Sequence, residues 1–194
     1  MAQTPFDPSE AVTFDLAYGH VHLDGAPNRV LVPSDALVAL CEAAGDQAAA
    51  ALGGAMGKAL GHRVAVRLAP SSEQRQPDVA KAPWEGVVEQ LAGELALLGL
   101  GSLGAERWGK ALVLVVDQSP LGDRGDSLLA EILSAAFGEL SGKPACAVRL
   151  ERNGVRARFV VVSEQIAAGV RQRLSAGTSW GAVLAKLHPG GPPV

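Results

Sequence analysis

Cys146-Ala147-Val148-Arg149-Leu150-Glu151-Arg152-Asn153-Gly154-Val155-Arg156-Ala157-Arg158-Phe159-Val160-Val161 is the stretch that decides the fold. Apolar residues alternate with charged ones on both sides of Asn153-Gly154. That dipeptide between two alternating runs predicts a β-hairpin with a type I′ turn, whose two central positions both need positive φ. A turn centred there sets Arg152 opposite Val155, Leu150 opposite Ala157, Val148 opposite Phe159 and Cys146 opposite Val161. The last three pairs are apolar, so they form the core-facing side. On the other side Glu151 opposes Arg156, and Arg149 opposes Arg158. Two facing arginines repel, so the reading calls for a nearby carboxylate, with the acidic N-terminal third as its expected source.

Downstream, a helix starts near Ser163, carries Ile166, Val170, Arg171 and Leu174, and ends at Gly177. Thr178 caps a short helix with Trp180, Val183, Leu184 and Leu187. The proline- and glycine-rich residues 189–194 form a flexible tail. Upstream, Asp126 or Ser127 caps a helix whose stripe is Leu128, Leu129, Ile132, Leu133, Ala136, Phe137 and Leu140, closed by Gly142 and Pro144. Two strands at 102–108 and 110–118 precede it. Every position of Leu112–Val116 is apolar, which predicts a strand buried on both faces.

Pro83 opens a helix that carries Val87, Val88, Leu91, Leu95 and Leu98 and stops at Gly99. Residues 69–82 read as a mobile surface loop. A helix over about 46–61 is punctuated by glycine, with Ala49, Gly53 and Gly57 four apart. Each glycine costs about 1 kcal/mol against alanine in a helix, so another backbone or a ligand must come close to that side: a neighbouring helix or, on the sharper reading, a ligand or another subunit. Arg63–Leu68 continues this helix or forms a strand. Pro33-Ser34-Asp35 opens an earlier helix, capped by Ser34 and broken at Gly45. Strands are expected at Val12–Leu23 and Arg29–Val32, after a flexible lead-in over 1–11. The sum is a single α+β domain over 12–188, an antiparallel sheet packed against helices.

The chain has 194 residues, formal charge −3 and two cysteines, Cys41 and Cys146. That composition excludes a disulfide scaffold and points to a reducing, cytoplasmic setting. No apolar run reaches membrane-spanning length, and the mild acidity argues against a nucleic-acid binder. Charge is uneven. Residues 1–50 hold seven acids against Arg29, and residues 141–176 hold seven bases against Glu151 and Glu164. The two regions should attract each other, within one chain or across a dimer, or attract an acidic protein partner to the arginines.

Candidate chemistry is sparse. Gly104–Ala111 fits GxxxxGK but lacks the magnesium-holding hydroxyl and runs into a strand. Gly99–Gly104 fits GxGxxG but follows a helix, the reverse of a dinucleotide site. His20 and His22 would share one strand face, yet a third metal ligand would have to come from His62, His188, Asp15 or Asp24, and no cluster supplies it. Neither cysteine has a sequence-placed base to activate it. No catalytic set, metal site or cofactor is implied.

Arg29–Leu37 running into the glycine-punctuated helix, the block Leu91–Gly109, the helix 126–141 and the hairpin 144–162 together resemble the 4-vinyl reductase, or hydrocarbon-binding, domain, which is related to small TRAPP-complex subunits. The resemblance covers about 12–188. It implies an antiparallel sheet packed on helices, commonly dimeric, in ligand-sensing modules, tetrapyrrole-pathway accessory proteins and assembly scaffolds. Some members carry a zinc-associated cysteine pair near the last hairpin. Here Cys146 has no second cysteine after it, so no metal site carries over. The expectation is a non-enzymatic homodimeric sensor or adaptor that holds a small apolar molecule, with Met56, Leu60, Leu95, Leu133 and Phe137 as pocket candidates. Ala49, Gly53, Gly57, Arg149, Arg156 and Arg158 are the interface candidates. The alternative is a scaffold with a filled core that docks a partner through the glycine-rich helix or the arginine-rich hairpin.

Overall fold

Leu112–Val116 takes the place its composition demands. The strand Ala111–Asp117 (β5) is internal to a four-stranded antiparallel sheet, flanked by Ser102–Trp108 (β4) and Arg156–Val162 (β7). Cys146–Asn153 (β6) pairs with β7 and forms the far edge. Alternate residues of β5 enter two different hydrophobic clusters. Leu114 and Val116 join one, Ala111 and Val113 the other. A strand covered on both sides needs no polar face, which is why its sequence shows none.

The computed structural model describes residues 11–23, 25–68, 84–108 and 111–187. The expected lead-in before residue 11, the 69–82 loop, the start at Pro83 and the tail lie outside the described residues. Ahead of the main sheet run three short strands, β1 (Val12–Asp15), β2 (His20–Leu23) and β3 (Ala26–Arg29), an antiparallel meander. The helices are α1 (Ser34–Ala44), α2 (Asp46–Leu68), α3 (Trp84–Leu97), α4 (Asp126–Ser141), α5 (Glu164–Ser175) and α6 (Trp180–Leu187). Side chains of α2, α3 and α4 cover one sheet face through Leu103, Leu114, Ala157 and Phe159. Those of α5 and α6 cover the other through Val113, Val148, Leu150 and Val160. The fold class expected from sequence, α+β in a single domain, is the one observed.

The helix ends follow local chemistry. Gly99 has φ +69°, and the Leu100 amide donates to the Leu95 carbonyl at 3.1 Å, so the first glycine of GxGxxG is the stop of α3. Gly142 closes α4 in the left-handed region. Arg63–Leu68 continues α2 rather than forming a strand. Three expected caps shift. Ser34 and Asp126 are the first helical residues of α1 and α4 and make no cap bond. At α6 it is Ser179, not Thr178, whose hydroxyl meets the Ala182 amide, at 3.4 Å.

The decisive hairpin forms with a different register. Gly154 and Val155 are the turn, Asn153 pairs with Arg156, and Gly154 has φ +58°. Glu151 therefore opposes Arg158 and Arg152 opposes Ala157; Arg149 opposes Phe159 and Val148 opposes Val160. The register slips between Arg149 and Glu151, so Leu150 is an extra, bulged residue. The pairings expected from Asn153-Gly154 are thus corrected by the turn and this bulge. Val148 and Leu150 lie against α5 and α6, whereas Ala147, Ala157 and Phe159 lie against α2–α4, so the hairpin has no free face.

Candidate functional site

The five pocket candidates come together. Leu60, Leu95 and Leu133 are buried in the cluster beneath α2, α3 and α4, and Met56 and Phe137 pack half-buried against it. Into this apolar layer α3 sends one carboxylate. Glu94 is 1% exposed, accepts from Arg63 Nε at 2.7 Å and Nη2 at 3.2 Å, and pairs with Arg67 as well. Arg63 and Arg67 stand four apart on α2, so one helix face brings both guanidiniums to one acid. At the start of α3, Trp84 packs on the same cluster with the Arg107 guanidinium 5.1 Å from its ring centroid. Its indole Nε1 is buried and meets no hydrogen-bond acceptor among the described residues.

A second constellation sits where α4 meets β6. The Asp126 carboxylate, 2% exposed, accepts from Arg152 Nε at 2.9 Å and from Arg149 Nη1 at 3.1 Å, with a further bond from Arg152 Nη2. The bulge at Leu150 is what lets Arg149 and Arg152, three apart, face the same way. Beside them opens a groove of about 1350 Å³ along β6, walled by Asp123, Ser127 and Glu131 on one side and by Arg171 and Leu174 on the other.

On the opposite sheet face Arg158 is held between Glu151, at 2.5 Å, and Glu106, which accepts two bonds of 3.1 Å. Its guanidinium lies 5.6 Å from the Trp180 ring centroid, and Trp180 meets Trp108 edge-on at 4.6 Å. The bond from Arg158 holds the Glu106 carboxyl below its ordinary value. Likewise the Arg156 guanidinium, bonded at 2.8 and 2.9 Å, lowers Asp117. The hairpin arginines do find acids, but these are Glu106, Asp117, Asp126 and Glu151 rather than the N-terminal third. From that third, Glu42 of α1 reaches Arg124 at 2.7 Å.

The interface candidates are placed differently from expectation. Gly53, Gly57 and Gly61 face α4 of the same chain. A Cβ on Gly53 would lie 2.6 Å from Glu131 Cβ, one on Gly61 2.7 Å from the Ala136 carbonyl oxygen, and one on Gly57 would overlap the Ile132 carbonyl. The close neighbour is therefore an intramolecular helix, and Gly53 and Gly57 are buried in it; Ala49, one turn earlier, is half-buried. Arg149, Arg156 and Arg158 each enter an intramolecular ion pair. His20 and His22 do share a strand face, their rings 5.8 Å apart, opposite Asp15 and Thr13. Among the described residues no three His, Cys, Asp or Glu side chains gather as metal ligands do.

Sequence reasoning missed Glu94, Arg63, Arg67, Trp84 and Asp126 as buried polar groups. Glu94 left a signal, an acid at the inward phase of the stripe Leu91, Leu95, Leu98. Arg63 and Arg67 left a fainter one, a basic pair at i, i+4.

No family model matches the chain, and no curated protein matches it by sequence. Among solved structures it is similar to the crystal structure of the phenol-responsive sensory domain of the transcription activator PoxR with phenol. The two share 14% sequence identity and superpose with a TM-score of 0.51 over 79% of this chain and 85% of that one. At that identity the likeness is one of fold.

Proposed function

We propose that this chain is a sensory or adaptor domain of the 4-vinyl reductase, hydrocarbon-binding type, which holds a small apolar molecule between α2–α4 and the sheet and works as a homodimer without catalysing a reaction. The observation that carries the reading is the Trp84 Nε1–H, buried without an acceptor among the described residues where Trp84 packs on the helix cluster. A buried unpaired donor costs about 1–3 kcal/mol, and a bound hydroxyl would remove that cost. The fold shared with a phenol-responsive sensory domain supports the same conclusion. Of the five pocket candidates, Met56 and Phe137 are the half-buried ones, and a guest would displace them before the fully buried leucines.

The test is a melting titration with phenol and alkylphenols. Ligand at about a hundred times its dissociation constant adds about 2.7 kcal/mol of stability, which for a domain of this size raises the melting temperature by roughly 5–10 °C. Trp84→Phe keeps an aromatic ring of smaller size and removes the donor, so it should weaken binding several-fold. A panel that leaves the melting point unmoved would contradict the reading.

One observation favours the scaffold alternative, the open groove along β6. A partner docked there would engage the arginine-rich hairpin. The glycine-rich helix is not a second route, since its glycine face is spent on α4.

A further inference from the structure

The N-terminal meander has one apolar and one polar face. The β1–β2 register pairs Val12 with Leu23 and Phe14 with Val21 on the first, and Thr13 with His22 and Asp15 with His20 on the second. His20 and His22 stand two apart on β2, so both imidazoles leave the strand on the same side. The Asp15 carboxylate accepts the Ala17 and Tyr18 amides at 3.0 and 3.2 Å. Those bonds shape the turn into β2, where the Tyr18 ring stacks on His20 at 6.1 Å and 28°. The two imidazoles lie 5.8 Å apart between centroids and are tilted by 53°.

The His22 ring is held in one tautomer. Its Nδ1 lies 3.3 Å from the Gly25 carbonyl oxygen. A carbonyl only accepts, so Nδ1 carries the proton and donates it there, and the lone pair of the neutral ring sits on Nε2. That Nε2 is buried and meets no hydrogen-bond partner among the described residues. An imidazole whose one nitrogen donates to a backbone carbonyl, leaving the other free, is arranged as metal-ligating histidines are. His20 is exposed, so its ring can turn toward the same point. A divalent ion bonded at about 2.0–2.1 Å to one nitrogen of each ring would set the centroids roughly 5 Å apart. A small rotation of His20 covers the difference from the observed spacing.

We infer that His20 and His22 form a strand-borne, two-imidazole site for a divalent transition-metal cation, Zn²⁺ or its neighbours Ni²⁺ and Cu²⁺, with His22 Nε2 as one donor and a ring nitrogen of His20 as the other. Among the described residues no third His, Cys, Asp or Glu joins them as a ligand, so water fills the remaining positions. Asp15, on the same face, adds negative charge that favours a cation without bonding to it. Open positions make the ion exchangeable rather than a structural staple. His20 and His22 do not belong to the hydrophobic cluster beneath α2, α3 and α4. The site is therefore separate from the layer proposed to hold an apolar guest, and the inference does not depend on that reading.

Calorimetric titration of the full chain with Zn²⁺, Ni²⁺ and Mg²⁺, together with imidazole nitrogen NMR, tests it. Zn²⁺ and Ni²⁺ should saturate one site with micromolar affinity, and Mg²⁺, which prefers oxygen ligands, should give no heat. His20→Ala and His22→Ala should each weaken Zn²⁺ binding by more than about tenfold, since either leaves a single imidazole. His62→Ala, on α2, should leave it unchanged. In the NMR spectrum Zn²⁺ should shift the Nε2 resonance of His22 while Nδ1 stays protonated. The inference is overturned by the absence of saturable Zn²⁺ binding below millimolar concentration, by affinity that survives His20→Ala or His22→Ala, by affinity lost in His62→Ala, or by metal on His22 Nδ1.

Discussion

Glu151 stands opposite Arg158 across the hairpin, and their side chains meet at 2.5 Å. The sequence pattern would pair Glu151 with Arg156; the Gly154-Val155 turn, one residue later than the sequence suggests, moves its partner by two residues. A double-mutant cycle on Glu151→Ala and Arg158→Ala should therefore show coupling of about 0.5–1 kcal/mol in denaturant unfolding. The same cycle on Glu151→Ala and Arg156→Ala should give coupling near zero.

Asp126 anchors two arginines from a buried position. Asp126→Ala leaves the Arg152 guanidinium, itself mostly buried, without its acid, and should cost roughly 3 kcal/mol in urea unfolding. Arg149 is half exposed, so Arg149→Ala should cost less than about 1 kcal/mol. Arg152→Ala should cost more than Arg149→Ala, and equal effects of these two would mean that the arginines share the acid equally.

The glycines of α2 divide into two kinds. Gly57→Ala drives a methyl into the Ile132 carbonyl and should destabilise the domain by about 2 kcal/mol or more. At Gly54 nothing lies within 4 Å of an added Cβ, so Gly54→Ala should stabilise by about 0.5–1 kcal/mol through the helix backbone. Thermal unfolding of the pair separates close packing from helix propensity. Opposite signs are expected.

Acid should loosen the strap across β4 and β7. Bonding to Arg158 holds the folded Glu106 carboxyl below the ordinary value of 4.5. A depressed folded pKa contributes stability that is complete above 4.5 and disappears as pH falls below it through the folded value. Wild-type stability should fall across that acid window, and Glu106→Gln should fall less steeply there. Parallel slopes for the two proteins, measured by urea unfolding at several pH values, would show that Glu106 is not a source of the acid loss.

Much of the architecture was legible because periodicity reports burial. The unbroken apolar run Leu112–Val116 announced a strand covered on both faces, and Gly99 and Gly142 announced helix ends. The hairpin itself was legible, but not its register. Asn153-Gly154 fits a type I′ turn, whereas the chain turns one residue later, and the alternation Val148, Arg149, Leu150, Glu151 runs unbroken through the bulge and leaves no mark of it. The glycine stripe correctly announced a close approach and could not say whose backbone approaches. The site was less legible. Nothing in the sequence joins Glu94 to Arg63 and Arg67, since ion pairing across two helices depends on how α2 and α3 are rotated, and local sequence does not encode that. The five apolar pocket candidates did converge, because stripes of neighbouring helices meet in one core.

The central claim is that the helix layer over the sheet holds a small apolar molecule. Native mass spectrometry of the full chain, purified from its own host without exposure to organic solvent, tests it most directly. The account predicts a mass above that of the polypeptide, the excess being released on collisional activation as a small aromatic or hydrocarbon compound and regained when phenol is added. The bare polypeptide mass, unchanged when phenol and alkylphenols are supplied in excess, would contradict it.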